Sequence, residues 1–409
     1  MHRLRFWLLR IVVAALFLLK AAPAQAYPWM IRHEYTTCNQ CHADPSGGGL
    51  LTAYGRMQGT ILLASNYKGG AAEEQEPGTI GDFLFGAIKL PESGSVLLQP
   101  EIRTARLYTR DLDTGADDSR TLIMQADLLG QIRVDRFRAN GGIGFVNSGA
   151  RGASITKDTA LGGDGNAIVS RTHWVGVDLG KDEDTTVRAG RINLPYGIRS
   201  IEHTAWVRST TRTDINASQQ YGIALAHNEE KYRFEAMAIA GNFSVSPDLY
   251  RERGFVGFAE WFAKPNLALG ASALITLAGG SVDNGTRADT RRTLSGLTMR
   301  WAVKKALVIS SETDLTFATT RGLEKKYGFA GLVQADLEPW QGLHFLAMAE
   351  TKNLNLGTNL QGFGGWLGAQ WFFFPHFDIR GDVVVRTEDS GSGSRFDSLA
   401  FLAQLHAYL

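Results

Sequence analysis

Two cysteines and a histidine near the start of the chain have the most distinctive chemistry in the sequence. Cys38, Cys41 and His42 stand in the order Cys-x-x-Cys-His, which is the pattern for covalent attachment of a c-type haem. The two thiols would form thioethers with the porphyrin, and the imidazole of His42 would be the proximal ligand of the iron. The spacing therefore predicts one covalently bound haem c.

Two other uses of a cysteine pair fit the sequence less well. A structural zinc site needs further protein ligands, usually from a second cysteine pair, and the chain has only 2 cysteines. A thioredoxin-like redox pair lies in a βαβ context, which the surrounding sequence does not have. Since haem attachment uses both thiols, no structural disulfide is expected.

The sixth ligand of the iron stays open from the sequence. Met30, His33 and Met57 are near the motif in sequence, and His203 is distant in sequence. An open or water-ligated position fits as well. Axial ligation sets the potential of a haem, so the potential stays open with it.

The first 26 residues have the composition of a cleaved secretory signal. Two arginines give a basic start, an apolar stretch follows over residues 7–19, and Ala24-Gln25-Ala26 matches the small-x-small cleavage pattern. The alternative is a transmembrane anchor, but the apolar run that no charge interrupts is far shorter than the ~20 residues that a span needs. We expect residues 1–26 to be removed and the mature chain to begin at Tyr27.

The charge balance argues against a nucleic-acid partner. The whole chain has 42 basic and 41 acidic residues. Arg3, Arg5, Arg10 and Lys20 belong to the predicted signal, so the mature chain has 38 basic and 41 acidic residues and a net charge near −3. Nucleic-acid-binding proteins present a basic face, and this composition does not predict one.

From about residue 96 onwards, apolar and polar residues alternate. Residues 377–386, FDIRGDVVVR, have apolar residues or glycine at odd numbers and mostly charged residues at even numbers. A period of two indicates a β-strand with one apolar and one polar face. Sixteen such strands are predicted. They cover residues 96–110, 120–134, 136–147, 169–180, 185–194, 219–228, 231–241, 253–263, 266–277, 291–302, 306–317, 327–338, 343–352, 362–374, 376–386 and 397–409.

The connections between these strands sort by length. Links after even-numbered strands are tight, such as Lys264-Pro265, whereas links after odd-numbered strands are longer and glycine-rich, such as residues 148–167. Short turns at one end and long loops at the other are typical of an outer-membrane β-barrel, and a soluble sandwich or propeller gives no reason for them. We therefore predict an all-β fold, a sixteen-stranded antiparallel outer-membrane β-barrel over residues 96–409.

Aromatic residues give the barrel an expected orientation. Trp261, Trp301, Trp340, Trp371 and Phe374 all fall at the short-turn end, where an aromatic girdle meets the lipid headgroups. Short turns are periplasmic in such barrels, so the haem motif is expected to enter from the periplasmic side and the long loops to be extracellular. A barrel of this size leaves a lumen.

Residues 26–57, AYPWMIRHEYTTCNQCHADPSGGGLLTAYGRM, combine an Ala-x-Pro start, an arginine, Cys-x-x-Cys-His and a later Leu-Thr-x-x-Gly-Arg. Followed by a sixteen-stranded barrel, this segment resembles the fused monohaem cytochrome–porin family of bacterial outer membranes. The matching residues are Ala26, Pro28, Arg32, Cys38, Cys41, His42, Leu51, Thr52, Gly55 and Arg56. The chain differs from iron-oxidising members at Met30-Ile31 and at His33.

The resemblance implies an electron-transfer protein with one haem c. Electrons would pass between an extracellular donor, ferrous iron in some members, and periplasmic carriers. The implied partners are outer-membrane lipid, a periplasmic cytochrome and a small extracellular redox partner or Fe(II). With iron as the donor, the activity would be that of an iron:cytochrome oxidoreductase. The alternative is a diffusion or substrate-selective porin whose haem segment is a plug, a gate or a sensor.

The expected organisation has four parts: a signal peptide over residues 1–26, a monohaem cytochrome c segment over 27–67, a linker over 68–95, and the barrel over 96–409. The cytochrome segment is too short to bury a haem alone, because small domains bury little apolar surface. We therefore expect it at or inside the lumen, with the barrel wall completing the haem pocket.

Two loops offer further candidates, although no catalytic residues stand out. The longest loop, residues 195–218, contains Glu202, His203 and three arginines, Arg199, Arg208 and Arg212. It is expected either to fold inward as a constriction or to be an ordinary exposed loop. Four aspartates in the first outer loop suit hard cations, which prefer oxygen ligands, or a solvated surface. They are Asp111, Asp113, Asp117 and Asp118.

Overall fold

The chain folds into a closed β-barrel with a short segment inside it. The computed structural model describes residues 27–65, 96–146, 167–180, 183–199, 202, 204–215, 218–241, 252–280, 288–358, 360–389 and 394–408. The predicted signal peptide, the predicted linker, His203 and Leu409 lie outside the described residues.

The described residues form seventeen strand segments of the barrel wall. They are β1 Val96–Asp111, β2 Asp117–Val134, β3 Phe137–Val146, β4 Ala167–Val169, β5 His173–Leu179, β6 Thr185–Ile192, β7 Gln220–Asn228, β8 Tyr232–Gly241, β9 Arg253–Lys264, β10 Leu267–Ala278, β11 Thr290–Lys304, β12 Leu307–Thr320, β13 Lys326–Trp340, β14 Leu343–Asn353, β15 Gln361–Phe374, β16 Phe377–Asp389 and β17 Arg395–Tyr408.

Antiparallel pairing closes the sheet. Apart from β4 and β5, consecutive strands pair with each other, and β1 pairs with both β2 and β17. Both β4 and β5 pair with β3, so they occupy one position in the wall. The barrel therefore has sixteen strand positions, which confirms the predicted fold. Closure leaves no sheet edge and satisfies the backbone groups of a wall that faces lipid.

The helices of the described residues are few and short. A 3₁₀ helix covers Pro28–His33, α1 covers Ala53–Leu63, and α2 covers Trp206–Thr211 in the connection between β6 and β7. Among the described residues, no helix is long and apolar enough to cross a membrane.

The predicted strand 169–180 is interrupted in the structure between β4 and β5. The carbonyl oxygen of Ser170 accepts a hydrogen bond of 2.9 Å from Nη1 of Arg191, and its hydroxyl lies 2.9 Å from Nδ1 of His173. The Arg191 side chain thus occupies a carbonyl oxygen that would pair with a neighbouring strand in a regular β-ladder. Apolar alternation does not reveal such a break.

Two outer links are shorter than predicted. Only residues 112–116 separate β1 from β2, and only residues 321–325 separate β12 from β13. These strands continue beyond their alternating part into polar residues. Backbone pairing persists in these polar ends, whereas the sequence pattern marks only the part of each strand in which apolar lipid-facing residues alternate with polar lumen-facing ones. The predicted length contrast therefore does not hold at these two links.

The outer wall is apolar and the inner wall is polar. In the middle of β11, Leu297 is 69% exposed on the outside, whereas the neighbouring Thr298 is buried. The inner side of β1 carries Gln99, Glu101 and Arg103, all buried. The exposed apolar surface has to face lipid, because soluble monomers rarely expose so large a patch. This arrangement supports a position in the outer membrane.

The predicted aromatic girdle is present at the short-turn end. Trp261, Trp301, Trp340, Trp371 and Phe374 all expose their side chains, from 39% for Trp301 to 70% for Trp340. Amphipathic rings favour the headgroup level of a bilayer. The girdle therefore marks one boundary of the membrane.

Replacement of Leu297 by arginine tests which face of the wall meets lipid. An arginine near the bilayer midplane costs a transmembrane barrel about 2–4 kcal/mol. We expect Leu297→Arg to lower the free energy of unfolding by that amount, measured by urea titration of the barrel in lipid vesicles. The control is Leu323→Arg in the outer link 321–325, where Leu323 is 47% exposed and the cost falls to about 0–1 kcal/mol. Equal losses in both variants would contradict this assignment.

Candidate haem site in the barrel lumen

Residues 27–65, termed the haem segment, lie inside the barrel near its short-turn end. Arg32 pairs with Asp336 of β13, and its Nη1 lies 2.5 Å from Oε2 of Glu338. On another side, Arg188 of β6 lies 2.7 Å from Asp44. Since β6 and β13 are nearly opposite in the strand order, the haem segment crosses the lumen. This agrees with the expectation that the barrel encloses it.

Apolar packing anchors the front of the haem segment. The ring of Trp29 lies 4.1 Å from that of His344, measured between centroids, with the two planes tilted by 30°, and it meets Phe372 edge-on. The Tyr27 hydroxyl accepts a hydrogen bond of 3.2 Å from Gln370. Met30 packs against the same apolar cluster. The start of the segment is thus fixed to β14 and β15.

A tight turn holds the two thiols of the motif. The backbone N–H groups of Cys41 and His42 donate to the carbonyl oxygen of Cys38, at 3.2 and 2.9 Å. Both cysteines are half-buried. Nη1 of Arg233, from β8, donates to Sγ of Cys38 at 2.6 Å. The turn therefore presents the Cys38 thiol beside a polar part of the wall.

His42 is buried, and its Nδ1 has no hydrogen-bond partner among the described residues. Its imidazole also forms hydrogen bonds with the backbone of Gly49 and Gly48. Burial lowers the pKa of His42 to about 4, although the carboxylate of Asp44 opposes the shift. The imidazole is therefore neutral near pH 7, as a metal ligand must be. The residues present fit the haem that the motif predicts.

The alternatives for the cysteine pair gain no support. Burial, followed by the neighbouring Cys38, raises the pKa of Cys41 to about 12. A redox thiol or a zinc ligand acts as the thiolate, which this environment disfavours. Within the described ranges, the one group placed to share a metal ion is Asp184, His227 and Glu229. None of these three residues belongs to the Cys-x-x-Cys-His motif.

The Leu-Thr-x-x-Gly-Arg residues dock α1 onto the haem motif. Thr52 caps α1 by accepting from the N–H of Gly55 at 3.0 Å, and its own N–H donates to the carbonyl oxygen of Cys41 at 2.9 Å. A Cβ on Gly55 would overlap the backbone of Cys41. Arg56 reaches the barrel and donates to the carbonyl oxygen of Leu98 at 2.6 Å. These residues set the distance between helix, motif and wall.

The haem segment also bridges the seam where β1 meets β17. The N–H of Leu51 donates to Oε1 of Gln99 in β1 at 2.8 Å. The Leu51 side chain packs against Tyr408 of β17. The contacts of Leu51 therefore reach both strands that close the barrel.

The described candidates for the sixth ligand lie in separate surroundings. Met30 packs in the apolar cluster, and His33 lies near Glu338, on the side of β13. Met57 is half-buried in α1. His203 lies outside the described residues. The distal ligand therefore stays a prediction without an assigned residue.

The connection between β6 and β7, residues 193–219 and termed the inward loop, folds into the lumen. In its described part, Glu202 accepts from Nη1 of Arg380 at 2.8 Å, and the N–H of Trp206 donates to Glu350 at 2.7 Å. Arg208 pairs with Glu312 of β12. The inward alternative is thus confirmed. Glu202 and Arg208 are used in ion pairs with the wall, and Arg212 lies 3.8 Å from Glu252.

The four aspartates of the first outer loop hold a turn together. Asp111 accepts from the N–H groups of Asp113 and Thr114, at 2.9 and 2.8 Å. Asp117 accepts from the hydroxyl of Tyr108 at 3.1 Å, and Asp118 lies 3.7 Å from Arg120. In the described part of the chain they do not form a metal-binding group. The expectation of a cation site is not supported.

A small cavity, partly open to solvent, separates the haem segment from the inward loop. Pro45 and Ser46 line one side and residues 195–197 and Arg199 the other, with Arg233 in the wall. Because Arg233 also contacts Cys38, the cavity adjoins the attachment site. Its wall residues were missed from the sequence, since alternation marks lumen residues without saying which of them meet.

The barrel is similar in fold to solved outer-membrane porins. OmpT of Vibrio cholerae, in its trimer form, aligns with a TM-score of 0.56 at 13% identity, over 77% of this chain and 99% of that one. An anion-selective porin from Comamonas acidovorans aligns with a TM-score of 0.56 at 12% identity, over 76% and 99%. The outer-membrane channel DcaP of Acinetobacter baumannii gives 0.52 at 11%, over 77% and 97%.

These similarities show the fold alone. No protein-family model matches the chain, and no curated protein matches its sequence. The outer-membrane porin architecture is thus supported by both the wall and the comparisons, whereas nothing in the comparisons shows a fused cytochrome.

Replacement of Gly55 by alanine tests the docking of α1. The added methyl group would collide with Cys41, and such overpacking costs about 1–3 kcal/mol. We expect Gly55→Ala to speed proteolysis within residues 27–65 about tenfold in detergent micelles. The control is Gly59→Ala in the same helix, whose Cβ would lie 3.7 Å from the Tyr408 hydroxyl. Alanine is the better helix former, so protection there should hold or rise. Equal proteolysis of both variants would refute the close approach.

Proposed function

We propose that this protein is an outer-membrane electron carrier whose single haem c is held in the lumen of a porin-type barrel. The observation that carries the proposal is the seating of Cys38, Cys41 and His42 across the lumen, with a neutral, buried imidazole. A Cys-x-x-Cys-His motif is specific for haem attachment. The barrel supplies the enclosure that a 39-residue described segment, 27–65, lacks by itself.

The residues that would hold the haem have separate tasks. Cys38 and Cys41 would fix the porphyrin, and His42 would face the iron. The bound haem would supply one reversible oxidation and reduction of its iron. Arg233, which contacts Cys38, also pairs with Glu260 at 2.7 Å, so its guanidinium is held in place beside the attachment site.

The depth of the site favours exchange with periplasmic carriers. Cys38 meets Arg233, the second residue of β8, and Ser46 meets Glu235, the fourth. Strands rise ~3.4 Å per residue, so the site lies within about 10 Å of the short-turn end. Glu34, Gln40 and Tyr54 of the segment are exposed and offer a surface to a periplasmic carrier.

An extracellular donor would have to be small. The hydrocarbon layer is ~30 Å thick, and the site occupies only the periplasmic part of the lumen. Electrons from outside would therefore arrive with a reductant that enters the outer mouth and passes the inward loop. Fe(II) is a substrate of suitable size and is the donor implied by the resemblance.

A porin-type channel is the second candidate. One of its structural neighbours is described as an anion-selective porin, and the barrel fold is shared. In this function the haem segment would act as a plug, a gate or a sensor. The inward loop, which narrows the lumen, is compatible with selective passage.

The double variant Cys38→Ala/Cys41→Ala separates the two functions. We expect the purified wild-type barrel to keep a c-type haem absorption after denaturation and the variant to lose it, because both thioether bonds are absent. The matched control is Thr36→Ala/Thr37→Ala, which leaves both thiols. Absence of haem from the wild-type protein, with solute permeability unaffected in the double variant, would favour the channel and defeat the electron carrier.

Intact cells test the direction from which electrons arrive. We expect a small extracellular reductant to reduce the haem without rupture of the outer membrane, since the lumen opens to the outside. Time-resolved absorption of cell suspensions would measure this. Reduction that begins only after rupture would overturn the extracellular donor while leaving the haem itself in place.

A further inference from the structure

Three side chains that can bind a metal ion meet where two neighbouring short turns of the barrel lie side by side. Asp184 ends the link between β5 and β6, His227 lies near the end of β7, and Glu229 begins the link to β8. One ligand atom from each residue lies within 4.8 Å of the other two. The Glu229 side chain is 50% exposed, so solvent ions have access to this group, termed the turn triad.

Hydrogen bonds around His227 determine which nitrogen of its ring can bind an ion. Thr185, the cross-strand neighbour of His227, donates its hydroxyl proton to Oδ1 of Asp184 at 2.9 Å. The Thr185 oxygen also lies 2.8 Å from Nδ1 of His227. A hydroxyl has only one proton, so the donor in this second bond is Nδ1–H. The lone pair of the neutral imidazole is therefore on Nε2, the nitrogen beside Glu229.

The distance between His227 and Glu229 suits a shared ion better than a direct hydrogen bond. Nε2 of His227 lies 3.4 Å from Oε1 of Glu229 and 3.4 Å from the Tyr232 hydroxyl, beyond the ~2.7–3.2 Å of an ordinary N–H···O bond. A tetrahedral Zn²⁺ ion with bonds of ~2.0 Å to nitrogen and ~2.1 Å to oxygen holds these two ligand atoms about 3.4 Å apart. The two side chains thus have the separation of ligands of one ion.

The triad is also held in position by its surroundings. The His227 ring packs against the rings of Tyr232 and Phe234, at centroid distances of 5.6 and 5.4 Å. The N–H of Asn228 donates to the carbonyl oxygen of Asp184 at 2.9 Å and joins the two turns. Binding costs less free energy when the ligands are already ordered. The arrangement is therefore favourable for an ion.

We propose that the turn triad binds one divalent ion of a first-row transition metal, such as Zn²⁺. An imidazole nitrogen suits zinc, copper, iron and nickel, whereas Mg²⁺ and Ca²⁺ prefer oxygen ligands. The hydrogen bond from Nδ1–H to Thr185 is of the kind that orients a metal-bound histidine. Asp184 accepts from Thr185 through Oδ1, which leaves its second oxygen for the ion. Water would complete the coordination.

The ion would lie on the outer face of the wall and outside the lumen. His227 has the same strand parity as Ile223 and Leu225, which are exposed on that face. An ion there would link the turn between β5 and β6 to the turn between β7 and β8. The proposal needs neither haem nor an open channel, so it stands apart from the proposed function.

Zinc titration of the full-length protein in detergent micelles tests the proposal. Isothermal calorimetry with ZnCl₂ compares wild type with His227→Gln, Glu229→Gln and Asp184→Asn. The matched control is His173→Gln. In the wild-type protein, the ring nitrogens of His173 lie 2.9 and 3.0 Å from hydroxyl groups instead of carboxylates.

We expect wild type and His173→Gln to bind one Zn²⁺ per chain with equal affinity. Each triad variant should bind it at least about tenfold more weakly. Loss of an outer hydrogen-bond partner already costs a metal site about 10–100-fold in affinity, and loss of a ligand should cost no less. X-ray absorption at the zinc edge should show one imidazole ligand in wild type and none in His227→Gln.

Two results would overturn the proposal. One is wild-type affinity in all three triad variants, or no zinc binding by the wild-type protein. The other is a loss confined to His227→Gln, which would mean that the histidine binds zinc alone and that Glu229 forms an ion pair only. Glu229→Gln keeps the experiment decisive, because its exposed position lets the variant fold as wild type does.

Discussion

Arg188 of β6 is buried between Asp44 of the haem segment and Glu235 of β8. Removing one partner from such a buried pair costs about 3–5 kcal/mol, because the remaining charge is left uncompensated in a low-dielectric interior. Arg32 is bound in the same way by Asp336 and Glu338 on the far side of the lumen. Charge matching at these two points, together with the apolar packing of Trp29 against the wall, determines where the haem segment lies. The motif between them takes its position from both.

The two faces of the barrel wall meet different surroundings. Outside, side chains such as Leu297 require lipid, and inside, polar groups require partners. A water-filled porin leaves many of these inner groups to water. Here part of the inner wall is matched by protein instead, from the haem segment at the short-turn end and from the inward loop above it. The cavity beside Cys38 is the space that these two insertions leave between them.

Much of the architecture could be predicted from the sequence, because lipid imposes a strict period of two on every strand. Sixteen positions, the antiparallel order and the girdle around Trp340 follow from that period. The break at Ser170 and the polar ends of β1 and β2 could not be predicted, since neither changes the apolar pattern. At the site, Cys-x-x-Cys-His identifies itself by spacing. Partners such as Arg233 and Arg188 cannot be identified in this way. Nothing in the sequence distinguishes one lumen arginine from another, because only the closed barrel brings the distant strands together.

The contacts of Leu51 and Arg56 tie the haem segment to the strands that close the barrel. They reach β1 at Leu98 and Gln99 and β17 at Tyr408, the two strands whose pairing turns an open sheet into a cylinder. The haem segment therefore links the two strands that close the barrel as well as lying inside the lumen. If the haem segment swung away as a lid, it would lose these contacts and weaken the pairing of β1 with β17 each time. The position of the haem segment and the closure of the wall thus depend on the same contacts.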